Sequence, residues 1–221
     1  MNPANLIRDR YDREARLMPA LLVALPPVLT AFAWIPALRG VGSALLTLLA
    51  VSGAMVWLAQ LARDRGSALQ PSLYAMWGGQ PSTALLRYRD ATLSTELKTR
   101  YRAFLQQAVP GLSLPTAEEE DRDPSHADEM YGAAGAWLVA KTRDKKRYGL
   151  LFEENINYGF RRNFWGMKPL ALLTSGAALF IGLLAIAISW VRNETLPSPE
   201  EVAATLLVAM YVVFVVVRVR S

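Results

Sequence analysis

PLALLTSGAALFIGLLAIAISWV, Pro169 to Val191, runs without one Lys, Arg, Asp, Glu or His in a chain that carries 24 basic and 19 acidic residues among its 221. At about 1.5 Å per residue, an apolar helix of this length crosses a hydrocarbon core of about 30 Å. Three more stretches share the property: Leu17–Leu38, Val41–Ala62 and Val202–Val217, the last being the shortest. Together they predict an all-α membrane protein with four transmembrane helices, two on each side of a charged middle. The expected organisation is a cytoplasmic arm (1–16), a transmembrane hairpin (17–62), a helical cytoplasmic domain (63–168), a second hairpin (169–217) and a basic tail (218–221).

Composition agrees with this division. The chain is 52% hydrophobic, too apolar for an ordinary soluble domain, and its charge is concentrated between the apolar stretches. It has no cysteine, which removes disulfides, thiolate metal sites and cysteine nucleophiles together. The first apolar stretch follows Arg8, Arg10, Arg13 and Arg16 but is long, holds Pro26-Pro27 and is followed at once by another. A retained span is therefore expected rather than a cleaved leader.

Basic residues near span ends set orientation. Eleven fall on one side: Arg8, Arg10, Arg13, Arg16, Arg63, Arg65, Arg161, Arg162, Lys168, Arg218 and Arg220. Only Arg39 and Arg192 fall on the other. The bias puts both termini and the middle domain in the cytoplasm. Trp34 and Trp190 near the outer surface, with Trp57, Trp165 and Lys168 near the inner one, read as interfacial anchors. The outer loops are too short to fold or to grip a large ligand.

Within the spans, Pro26-Pro27 frees backbone carbonyls and predicts either a packing bend or a hinge. Small residues four apart, Ser43/Thr47, Ala50/Ala54, Ala178/Gly182 and Ala185/Ser189, permit close helix–helix approach. No ionisable group lies inside a span, which argues against proton relays, coupled transport and voltage sensing.

In the middle domain a helix is expected to open at Pro81-Ser82 after the Gly78-Gly79 turn. It would carry Leu86, Leu93, Leu97, Tyr101 and Phe104/Leu105 on its apolar face and end before Pro110. A proline- and acid-rich loop, Pro115–Pro124, follows. Ser125 is the expected N-cap of a helix running through Trp137 to about Thr142, and Lys141–Arg147 is a solvated basic turn. Tyr148, Phe152, Ile156, Phe160 and Phe164 recur every fourth residue on a last cytoplasmic helix, opposite Glu153, Glu154, Asn157, Arg161 and Arg162. This helix fits three roles: packing with a solvated polar face, lying on the membrane surface, or carrying a site.

Few motifs carry chemistry. Asp121-x-Asp123-x-Ser125 starts like a calcium loop but has His126 where Gly is needed and Gly132 where Glu is needed. His126 is the only histidine, so His-based metal sites are excluded, and no metal or cofactor is expected. Gly78-Gly79-Gln80-Pro81-Ser82 fits neither nucleotide-binding fingerprint and reads as a turn. Lipid phosphates account for the basic residues before nucleic acid does.

Met76-Trp-Gly-Gly-Gln-Pro-Ser82, Leu151-Phe-Glu-Glu-Asn-Ile-Asn-Tyr-Gly-Phe-Arg-Arg-Asn163 and Gly166-Met-Lys-Pro169 resemble strings in uncharacterised bacterial inner-membrane proteins with paired spans around a cytosolic domain. The resemblance covers roughly residues 73–170, implies a bacterial membrane origin and implies no activity.

The expected function is non-enzymatic: the cytoplasmic domain recognises a protein or small ligand and couples it to the spans, as an oligomeric effector or leak-forming protein in one version. The lipid bilayer, a homo-oligomer or a protein partner are the expected associations. One alternative is a membrane-bound enzyme acting on lipid or isoprenoid phosphate, with Glu153, Glu154, Tyr158, Arg161 and Arg162 as its catalytic candidates. Another is a structural subunit of a larger membrane complex.

Overall fold

A computed structural model describes residues 8–38, 42, 44, 53–192 and 196–218. All regular elements among them are helical. A π-helical stretch, Asp12–Leu17, leads into α1 (Met18–Trp34), followed by α2 (Ala54–Met76), α3 (Pro81–Ala84), α4 (Thr95–Ala108) and α5 (Ala117–Arg122). The rest is α6 (Pro124–Lys141), α7 (Gly149–Gly166), α8 (Lys168–Arg192) and α9 (Pro199–Arg218). The chain forms two compact units: Met1–Leu69 with Asn155–Ser221, and Gln70–Glu154.

In the first unit three helical segments are long and apolar enough to cross a membrane: Asp12–Trp34, Lys168–Arg192 and Pro199–Val217. They match the first, third and fourth apolar stretches. Ten of the 22 residues of the second stretch, including Ser43, Thr47 and Ala50, lie outside the described residues, and its end opens α2. Helix α8 packs on α1 and α9, and α9 packs on α1. The contact face of α8 is small, with Ala171, Ser175, Ala178 and Gly182 all buried. A methyl group on Gly182 would lie 2.8 Å from Thr205 Oγ1, so glycine permits the close α8–α9 approach. Large apolar side chains such as Leu173, Phe180 and Met210 remain exposed on the outer faces, as a lipid-facing bundle requires.

Proline shapes α1. A proline has no N–H, so the carbonyl four residues before it loses its α-helical donor. Pro19 therefore strands the Ala15 carbonyl, where the backbone has widened so that Met18 N–H bonds five residues back to Arg13. The buried Asn163 Nδ2 donates to Ala15 O at 2.7 Å and fills the gap. Pro27 likewise strands Val23 O, and the Thr174 hydroxyl lies 3.3 Å from it, although its single proton is also within reach of the Leu170 and Ala171 carbonyls. Helix α1 runs through Pro26-Pro27 and ends at Ile35, extended before Pro36. Glycine again permits contact where α2 meets α7: a Cβ on Gly66 would fall 2.0 Å from Asn163 Oδ1, and one on Gly166 2.5 Å from the Arg65 carbonyl carbon.

The second unit corrects three expectations. The helix expected from Pro81 to Pro110 is two helices, α3 and α4, separated by residues 85–94. Ser94 caps α4 by accepting Leu97 N–H, and Tyr88 and Arg89 turn their N–H groups to Glu120 instead of an intrahelical carbonyl. The expected Pro115–Pro124 loop holds α5, started by a Thr116–Glu119 capping box. The N-cap of α6 is Asp123, not Ser125: its carboxylate accepts His126 N–H at 3.0 Å, and Pro124 takes the first helical position. The core joins Leu86, Leu105, Leu114, Ala127, Tyr131 and Ala134.

Candidate functional site

The most developed polar constellation lies in the second unit, at residues the sequence did not single out. Glu120 is 1% exposed. Its carboxylate accepts Tyr88 N–H at 2.9 Å, Arg89 N–H at 3.2 Å, Arg89 Nη1 at 2.9 Å and the Tyr131 hydroxyl at 2.6 Å. The Tyr131 oxygen in turn accepts from Arg102 Nη1 at 2.8 Å. Arg102, also buried, donates to the Leu86 and Pro115 carbonyls, and its guanidinium lies 3.9 Å from the Tyr88 ring centroid.

Nearer the surface, Asp128 receives two hydrogen bonds from Arg87, at 2.7 and 2.8 Å, and further ones from Arg89. Lys98 donates to the Arg87 and Asp90 carbonyls. Each charged group here has hydrogen-bond partners, those of Arg102 being neutral, and these bonds clamp the 85–94 loop onto α4, α5 and α6.

These surroundings fix protonation. Burial pushes the Glu120 carboxyl up, but the Tyr131 hydroxyl, the two backbone N–H groups and the Arg89 charge outweigh it and hold it below the ordinary carboxylate range. Burial and the Glu120 carboxylate push Tyr131 up to about 12. Glu120 stays ionised and Tyr131 stays a donor at neutral pH. A saturated carboxylate of lowered pKa is a poor proton acceptor, so the network suits positioning rather than acid–base chemistry.

Helix α4 consequently turns inside out. It buries Lys98 and Arg102 beside Leu105 and exposes Leu97 (37%), Tyr101 (48%) and Phe104 (57%). The expected apolar face is thus only partly a core face: Leu105 faces inward while the 97, 101, 104 stripe faces out. An open depression of about 280 Å³ lies beside this helix, lined by Tyr88, Thr99, Arg102, Gln106 and Pro115 among others. A second, of about 360 Å³, holds Glu119, Arg122, Asp123 and His126.

The candidates on α7 are divided between the units. Glu154, at the end of the second, is exposed and Glu153 half-buried. Tyr158, Arg161 and Arg162 belong to the first. There Arg162 lies 5.7 Å from the Tyr158 ring centroid and donates to Asn163 Oδ1, while Arg161 is exposed. Of the expected anchors, Trp57 and Trp190 are exposed, Trp165 packs against the first unit's core beside the half-buried Lys168, and Trp34 ends α1.

The sequence signal that could have found the network is thin. Thr116-x-x-Glu119 announces a helix start, which makes α5 legible, but four adjacent acids, Glu118 to Asp121, conceal which one turns inward. Among the described residues, no group of three or more His, Asp or Glu side chains could hold a metal ion.

The fold defines an all-helical protein with three helices suited to spanning a membrane. No protein-family model matches the chain, and no curated protein or solved structure is similar to it.

Proposed function

We propose that this chain is a non-enzymatic, polytopic membrane protein whose Gln70–Glu154 unit recognises a helical segment of a partner protein and couples its occupancy to the membrane-spanning bundle. The carrying observation is the outward stripe of α4. Leu97, Tyr101 and Phe104, continued by Ala108, follow a 4-3-4 spacing, which is the seam one helix offers another. Exposed aromatic and leucine side chains bounded by polar ones have the composition of a recognition surface, and exposed Arg100 at its edge favours an acidic neighbour on the partner.

Four spans, a bacterial inner membrane and cytoplasmic termini form the rest of the reading. The charge-free 41–62 stretch and the eleven-to-two basic asymmetry support them.

A photo-crosslinking residue at Tyr101, in the full chain produced in cells, tests the recognition. The expected result is one adduct of defined mass that Phe104→Glu abolishes, with none from a probe at Glu118. An adduct with a second copy of the chain would replace the heterologous partner with self-association, and no adduct beyond the Glu118 control would refute the recognition surface.

A further inference from the structure

The turn between α6 and α7 is a strongly basic surface of the second unit. Lys141, Arg143, Lys145, Lys146 and Arg147 are all exposed. Asp144, the one acid in the run, is occupied with the backbone: its Oδ1 accepts Lys146 N–H at 2.9 Å and Arg147 N–H at 3.3 Å.

Three of the cations lie over rings of the turn and its flanking helices. Lys141 Nζ is 5.6 Å from the Trp137 centroid, Lys145 Nζ 4.8 Å from Phe152, and the Arg147 guanidinium 5.5 Å from Tyr148. Beside them stand apolar side chains with no polar purpose. Leu150 is 88% exposed, and Val139 and Leu151 are exposed as well.

Clustered cations with bare leucines beside them match a surface that is negative outside and oily beneath. We infer that this turn docks on an anionic bilayer surface, the cations on headgroup phosphates and Leu150 reaching the acyl boundary. Each cation near such a surface strengthens contact roughly fivefold, and an inserted leucine adds apolar burial that a nucleic-acid backbone could not provide. A chain that carries membrane-spanning helices also keeps this turn tethered to lipid, so modest intrinsic affinity suffices.

The chain has no cysteine, so Leu150→Cys creates a unique labelling site at an exposed position. The full protein, labelled there with an environment-sensitive fluorophore, is reconstituted in nanodiscs of zwitterionic lipid or of the same lipid with one third phosphatidylglycerol. The expected result is a blue-shifted emission, quenched by lipid-borne spin label, in the anionic discs at low salt. It should fade at high salt. Arg143→Gln with Lys146→Gln, which leaves the three ring contacts intact, should lower the contact equilibrium about 25-fold.

Identical spectra in the two lipids overturn the inference. So does a response to added oligonucleotide or inorganic phosphate that equals or exceeds the response to anionic lipid.

Discussion

Tyr131→Phe is the sharpest probe of the polar clamp, because it removes one oxygen and keeps the ring that fills the core. That oxygen accepts from Arg102 and donates to Glu120 at 2.8 and 2.6 Å, in a position with no solvent exposure. A hydrogen bond to a charged group contributes about 1.5–3 kcal/mol. Glu120 retains three N–H donors and Arg102 two carbonyls, so the low end of the range applies to both bonds and the loss is about 3 kcal/mol. At 1.4 kcal/mol per factor of ten, the open form of the 85–94 loop becomes about 150-fold more populated.

Trypsin reads that population at Arg87 and Arg89 in the full protein held in mild detergent, provided the loop opens and closes faster than it is cut. The variant should be cleaved there roughly two orders of magnitude faster, whereas Tyr101→Phe, at an exposed position, should be cleaved at the wild-type rate. A change of less than threefold for Tyr131→Phe would show that the network is not what holds the loop.

Titration supplies a second test. The depressed Glu120 pKa stabilises the fold fully above its ordinary value of 4.5, and that contribution is lost as pH falls through the folded-state value. The raised Tyr131 pKa acts oppositely, contributing below 10.0 and fading as pH rises toward about 12. Tyrosine difference absorbance at high pH should therefore lose one late-ionising group in Tyr131→Phe. At the proline gaps, Asn163→Leu leaves the buried Ala15 carbonyl without its side-chain donor and should destabilise the detergent-solubilised protein by about 1–3 kcal/mol. Thr174→Val should cost under about 1 kcal/mol, because its proton is shared among three carbonyls; equal shifts in thermal midpoint would contradict the assignment. Gly166→Ala places a methyl group against the Arg65 backbone and should lower the midpoint by several degrees, while Gly176→Ala, with nothing within 4 Å, should leave it unchanged or raise it.

Much of the architecture was legible before any coordinates. A run of apolar residues without charge has one favourable solvent, so Pro169–Val191 and its counterparts at each end declared themselves from composition and length, and helicity followed because a lipid-facing backbone must satisfy its own hydrogen bonds. The α6 start was misplaced by two residues because Asp123 and Ser125 both have capping side chains, and only backbone geometry selects between them. Pro26-Pro27 predicted freed carbonyls by chemistry alone, but not the donor that meets one of them, since Thr174 lies 151 residues from Val23.

The amino-acid sequence by itself determined which segments shun water and where their charged borders lie, because transfer free energy is a property of local composition. The tertiary structure alone decided which charges leave water. Glu120 is buried among four acids of equal standing because Tyr88, Arg89 and Tyr131 converge on it from elsewhere in the chain. A buried charge is tolerated only where such partners meet it, and that convergence is a fact of packing that no local pattern encodes.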